Sequence, residues 1–172
     1  MLWAALGGLG VLAALVARRA LSIKARHLRF ASEPQPEPED SATPLYESVR
    51  ALYHGTRFRD GTALLIPSWR EACVCDLSLT SQALFLQREA QGARLAIALA
   101  AIEEAALHRA YAPLAKKELP MLRLRWSRGG DHLETELSLR GGMAALETLR
   151  REIHLRQGNV EEQLRPFLEK QP

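Results

Sequence analysis

The chain has 172 residues, 47% hydrophobic and 25% charged, with 23 Lys and Arg against 20 Asp and Glu for a formal net charge of +3. That length suits one ordinary domain with short appendages and leaves a second full core cramped. Five cations, Arg18, Arg19, Lys24, Arg26 and Arg29, precede Phe30 and leave 18 basic against 20 acidic residues beyond it, so the basic stripe that nucleic-acid binding needs is missing from the domain itself.

Residues 2–17 carry no charge and consist of Leu, Ala, Val, Gly and Trp. As a helix these 16 residues would span roughly 24 Å at ~1.5 Å per residue, short of a ~30 Å bilayer core. Snorkelling by Arg18 and Arg19, with Ala20, Leu21 and Ile23 in the next turn, would let the helix cross. A cleaved signal peptide has its positive charge before the apolar run, whereas here the five cations follow it. The pattern predicts an uncleaved transmembrane anchor and basic juxtamembrane helix over 1–30, with Arg18, Arg19, Lys24, Arg26 and Arg29 at the membrane junction. The positive-inside rule then predicts a single-pass protein of the cell's inner membrane with its domain on the cytoplasmic side. The same cations would attract anionic lipid headgroups.

Residues 31–43 form a Pro- and Glu-rich linker around Ser-Glu-Pro-Gln-Pro-Glu-Pro-Glu-Asp-Ser, a composition that neither buries a core nor sustains a helix. The folded domain is expected over 44–158, with 159–172 as a C-terminal tail. Thr43 as N-cap, Pro44 at the first helical position and Leu45, Val49 and Leu52 at helical spacing predict a short leading helix that ends at Gly55. Seven strand candidates follow, at 63–66, 73–80, 83–88, 94–99, 105–111, 121–127 and 132–139. Segment 94–111 fits helical as well as strand period. Cys73 and Cys75 share a face with Leu77 and Leu79, which makes them small core hydrophobes, and two cysteines so spaced suit a reducing compartment. Beyond Gly141 and Gly142 the period is helical, with Leu146, Leu149 and Ile153 on one face and Gly158 as the stop.

Gly129-Gly130 between two alternating runs predicts a two-residue hairpin turn. Pairing Arg128 with Asp131 places Arg125 opposite Glu134 and Arg123 opposite Glu136, while Leu122, Leu124 and Trp126 meet Leu137, Thr135 and Leu133 on the other face. Charge pairing and the apolar face select the same register.

Leu77-Ser78-Leu79-Thr80 leading into Ala83-Leu84-Phe85-Leu86, and Ala96-Ile97-Ala98-Leu99-Ala100-Ala101-Ile102 further on, resemble the middle strands of pleckstrin-homology and GRAM-type domains. The resemblance covers roughly 55–158. It implies a mostly β fold with a C-terminal α-helix, a PH-like seven-stranded barrel, preceded here by a single transmembrane helix, and it favours strand for 94–111. Some members bind phosphoinositides through basic residues on the first two strands. Here that stretch holds only Arg70 beside Glu71, with Asp76 further on, and the activity is not carried over.

No histidine pair has metal-ligand spacing, two cysteines do not complete a zinc site, and Glu103-Glu104 has no accompanying nucleophile or phosphate loop. No cofactor, metal or enzymatic activity is expected. The expected function is a membrane-tethered binding module that docks a protein partner. The alternatives are a structural subunit packing through its anchor at Gly7, Gly8 and Gly10, or binding of an anionic lipid headgroup. The resembled barrel brings together the loops after strands one, three and six. The candidate binding residues are therefore Trp69, Arg70, Arg88, Arg94 and Arg128, with an exposed Trp69 as the aromatic anchor. Glu71, Glu89 and Asp131 share those loops, so an ordinary solvated loop end with local charge pairs is the competing reading.

Overall fold

A computed structural model describes residues 2–32, 46–64, 69–88 and 93–168. The chain divides into two compact units, Met1–Glu33 and Pro34–Pro172. The first is one helix, α1 (Leu2–Ser32). The transmembrane anchor expected there is not sustained: among the described residues, no helix is long and apolar enough to cross a membrane. Side chains of α1 are described from Ala14, and five cations fall between positions 18 and 29. Each Arg or Lys near a helix centre costs about 2.5–3.5 kcal/mol to insert, so this stretch is poorly suited to hydrocarbon.

The second unit is mostly β, with seven antiparallel strands and a C-terminal helix. The strands are β1 (Tyr46–Phe58), β2 (Cys73–Leu79), β3 (Ala83–Arg88), β4 (Arg94–Ala98), β5 (Ile102–Ala112), β6 (Lys117–Arg128) and β7 (Asp131–Leu139), followed by α2 (Gly142–Leu168). They form one sheet in the order β4-β3-β2-β1-β7-β6-β5. The ambiguous segment 94–111 resolves into β4, a 3-10 turn at Leu99–Ala101 and β5.

The first strand lies earlier than its pattern indicates. The helix expected up to Gly55 is a strand from Tyr46 onward, while 43–45 lie outside the described residues. Helical spacing of Val49 and Leu52 is outweighed because β1 is the central strand: residues 46–53 pair with β2 and residues 51–58 with β7. It passes from one half of the sheet to the other through a bulge between Tyr53 and Gly55, and Gly55 takes φ +140°, a conformation that disfavours a side chain. The strand expected at 63–66 is reduced to a bridge from Ala63 to Arg57 and a Leu64 N–H donating to the Thr56 carbonyl at 2.8 Å; Leu65 and Ile66 lie outside the described residues.

The hairpin of β6 and β7 has the register read from its charges: Arg128 faces Asp131, Arg125 faces Glu134 and Arg123 faces Glu136. Gly129 and Gly130 take φ +57° and +78°, the left-handed pair that a tight primed turn demands. Behind the sheet, Leu146, Leu149 and Ile153 of α2 are fully buried, in a core with Tyr53, Cys75, Leu77, Leu84, Leu86, Leu122, Leu124, Trp126 and Leu137. The helix runs past Gly158 to Leu168, since one interior glycine costs a helix only about 1 kcal/mol, and α2 packs on β5, β6 and β7. At the end of this packed stretch the Gln157 side-chain amide donates to the Ile102 carbonyl at 2.6 Å and the Leu99 carbonyl at 3.2 Å, which fixes the corner between β4 and β5.

Candidate functional site

One face of β7, β6 and β1 is largely apolar and buried, with Tyr53, Phe58 and Trp126 among its leucines and Thr56 and Thr135 as its polar groups. The other alternates in charge, because every second residue of a strand shares a face. Ladder pairing sets Arg57 of β1 beside Glu134 of β7, Glu134 beside Arg125 of β6, and Arg125 beside Glu104 of β5. The result is a row of alternating charge across four strands. Arg57 Nη2 lies 3.0 Å from Glu134 Oε1, Arg125 Nε 3.2 Å from Glu134 Oε2, and Arg125 Nη1 2.6 Å from Glu104 Oε2. A second row is offset by one pleat, where Glu136 Oε1 accepts from Arg123 Nη2 at 3.1 Å and lies 3.1 Å from both Arg57 Nη2 and His108 Nε2.

Glu134 is the hub, since Arg123 Nε also approaches it at 3.4 Å. Burial raises its carboxyl pKa, but the hydrogen bond from Arg125 and the charges of Arg123 and Arg57 outweigh burial and hold it below the usual carboxylate range. The Arg125 guanidinium is held above its usual value by the hydrogen bond it donates to Glu134 and by the charge of Glu104.

Where this face meets the β6–β7 turn, a cleft of about 540 Å³ opens, lined by Arg57, Arg59, Glu103, Glu104, Arg125, His132 and Glu134 with Phe58, Gly61 and Leu133. A bulge between Ile102 and Glu104 turns both adjacent glutamates to solvent. Glu103 meets His132 Nδ1 at 2.7 Å while Glu104 takes Arg125. The Arg59 amide donates to the His132 carbonyl at 2.9 Å, and its guanidinium is exposed with no carboxylate partner among the described residues. Three arginines therefore face three glutamates, so the cleft is charge-balanced as well as densely charged. Among the described residues no group of three or more His, Cys, Asp or Glu side chains could hold a metal ion.

The expected binding set is distributed differently. Trp69 is 2% exposed, so it is not the exposed anchor expected in that loop. Its indole stands edge-on to Tyr53 at 5.0 Å between ring centroids, and its carbonyl accepts the Tyr53 hydroxyl at 3.2 Å. Arg70 beside it is exposed. Arg88 ends β3 opposite Cys75 and is half-buried, and Arg94 begins β4 with its guanidinium 5.7 Å from the Phe85 ring centroid. Arg128 is half-buried at the end of β6. The antiparallel order brings all three connections to one end of the sheet, but β2, β1 and β7 lie between Arg88 on β3 and Arg128 on β6. Glu89 lies outside the described residues. Of the residues read as a membrane junction, Arg18, Arg19, Lys24 and Arg29 are exposed and Arg26 is half-buried.

Arg57 and Arg59 are absent from the expected set because they fall between the helix expected to end at Gly55 and the strand expected from Ala63, whereas Arg57 lies in β1 and Arg59 just beyond it. The alternation Arg57-Phe58-Arg59 was the available signal. Cys73 and Cys75 are buried free thiols on the face of Leu77 and Leu79, and burial pushes the Cys73 thiol up.

These features define an antiparallel β-domain closed by a C-terminal helix and bearing a charge-balanced cleft. No protein-family model matches the chain, and a search of curated proteins finds no match either. The resemblance to pleckstrin-homology and GRAM-type domains behind a transmembrane anchor is thereby overturned: the hydrophobic stretches that carried it are shared by many folds, and no described helix can cross a membrane.

Proposed function

We propose that this protein is a docking module, without enzymatic activity, that seats a protein partner on the charged outer face of β1, β7, β6 and β5. The observation that carries the reading is the cleft of about 540 Å³ in which three arginines are matched by three glutamates and a histidine. A headgroup or phosphate site needs a surplus of positive charge, which this cleft lacks. A protein surface of mixed charge can exchange pairs with such a chequerboard and gain register and specificity from it. General acid-base chemistry needs a group free to take and release a proton, whereas the carboxylates here are engaged by guanidinium or imidazole. The same reading keeps the domain on the cytoplasmic side of a membrane, where the free thiols Cys73 and Cys75 persist.

The test is a photo-crosslinking amino acid placed at Arg59 or Glu103 on the cleft, and at exposed Leu114 in the β5–β6 turn as a distal control. A discrete protein adduct from the cleft positions that is absent from Leu114 supports the reading. Lipid adducts at the cleft, or protein adducts from Leu114 alone, refute it.

A further inference from the structure

The cations of α1 have no part in the docking face, and neither does a second feature of the same helix. Ala14, Ala17, Leu21, Ala25 and Leu28 recur at steps of three or four and occupy one stripe about 80° wide on a helix of ~3.6 residues per turn. All five are exposed, Leu21 at 69% and Leu28 at 61%. Cations border the apolar stripe on both flanks, with Lys24 on one and Arg18 and Arg29 on the other, all exposed. No acidic residue occurs anywhere in the helix.

An apolar stripe bordered on both sides by long cationic side chains matches the cross-section of a membrane interface. The stripe sinks to the level of the first acyl carbons, while Lys and Arg stems run up its sides and place their charges among the phosphates. A second copy of this chain would be a poorer occupant, since the flanking cations would face cations. We infer that residues 14–29 of α1 lie flat in the headgroup layer of an anionic membrane, with Leu21 and Leu28 as buried anchors and Arg18 and Lys24 as the lipid-phosphate contacts. The docking face and this membrane face are separate surfaces, and either reading can fail without the other.

The experiment uses the full chain and vesicles of phosphatidylcholine alone or mixed equally with phosphatidylglycerol. Co-sedimentation should favour the anionic vesicles and weaken as salt rises. The double variant Arg18→Gln/Lys24→Gln should bind them about 25-fold less, since each cation near such a surface contributes about a factor of five. Nitroxides at Leu21→Cys and Leu28→Cys, in a Cys73→Ala/Cys75→Ala background, should report equal, shallow depths. A depth difference approaching 10 Å, the rise of seven helical residues at ~1.5 Å each, would mean a crossing helix and overturn the inference. Undiminished binding by the double variant, or self-association through the stripe without vesicle binding, would overturn it as well.

Discussion

Replacing Thr135 with Val tests a buried hydrogen-bond chain in the core. Thr135 is fully buried on the inner face of β7, and its Oγ1 accepts the Trp126 indole N–H at 2.9 Å and lies 2.8 Å from Thr56 Oγ1. Thr56 in turn accepts the Tyr53 hydroxyl at 3.0 Å. Valine keeps the shape of threonine, so no cavity opens and the loss is confined to hydrogen bonding. A buried indole N–H without an acceptor costs about 1–3 kcal/mol, and the lost threonine pair about 1 kcal/mol more, offset in part by a methyl in place of a hydroxyl. The net expectation is about 2–3 kcal/mol. Thr56→Val should cost less, about 1 kcal/mol, because Tyr53 still reaches the Trp69 carbonyl and Trp126 still reaches Thr135. The double variant should fall short of the sum of the two, since one hydrogen bond is counted in both. Urea unfolding followed by tryptophan fluorescence measures this as a lower midpoint at unchanged slope. Thr135→Val within about 0.5 kcal/mol of wild type, the scatter expected of an innocuous surface change, would refute the claim that the hydroxyl satisfies the indole.

Glu134 ionises more readily in the folded than in the unfolded state, so its stabilisation is complete above its ordinary value of 4.5 and lost as pH falls through the lower folded value; Glu134→Gln should flatten the acid limb of a stability-against-pH curve. Burial lowers the pKa of His54, whose Nε2 lies 2.9 Å from Ser138 Oγ, while the charge of Glu136 opposes the shift. The folded state is therefore favoured above pH 6.5 and loses stability below it, and His54→Gln should remove that slope between 6.5 and the acid limb. Gly130→Ala, at φ +78° with open space around the added methyl, should lower stability by about 1 kcal/mol through backbone strain alone. Leu149→Ala, at a fully buried α2 position, should cost about 2–5 kcal/mol in the same urea assay and loosen the helix from the sheet.

Local pattern carried the β6–β7 hairpin entirely: Gly129-Gly130 names the turn, and charge on one face with aliphatics on the other names the register, because both partners lie within a few residues of the turn. The burial of Cys73 and Cys75 and the apolar face of α2 were legible for the same reason, a single period read within one element. Residues 46–55 were not, since Val49 and Leu52 satisfy a helical spacing and only ladders to β2 and β7, both distant in sequence, make β1 the centre of the sheet. Trp69 is buried by Tyr53, 16 residues away across a connection, so its local neighbours Ser68 and Arg70 say nothing of its exposure. The charged row draws Arg57, Glu134, Arg125 and Glu104 from four strands. A one-dimensional period fixes which face a residue takes within its element, whereas which elements stand side by side depends on hydrogen bonds and packing closed over the whole chain, and the cleft exists only once they are closed.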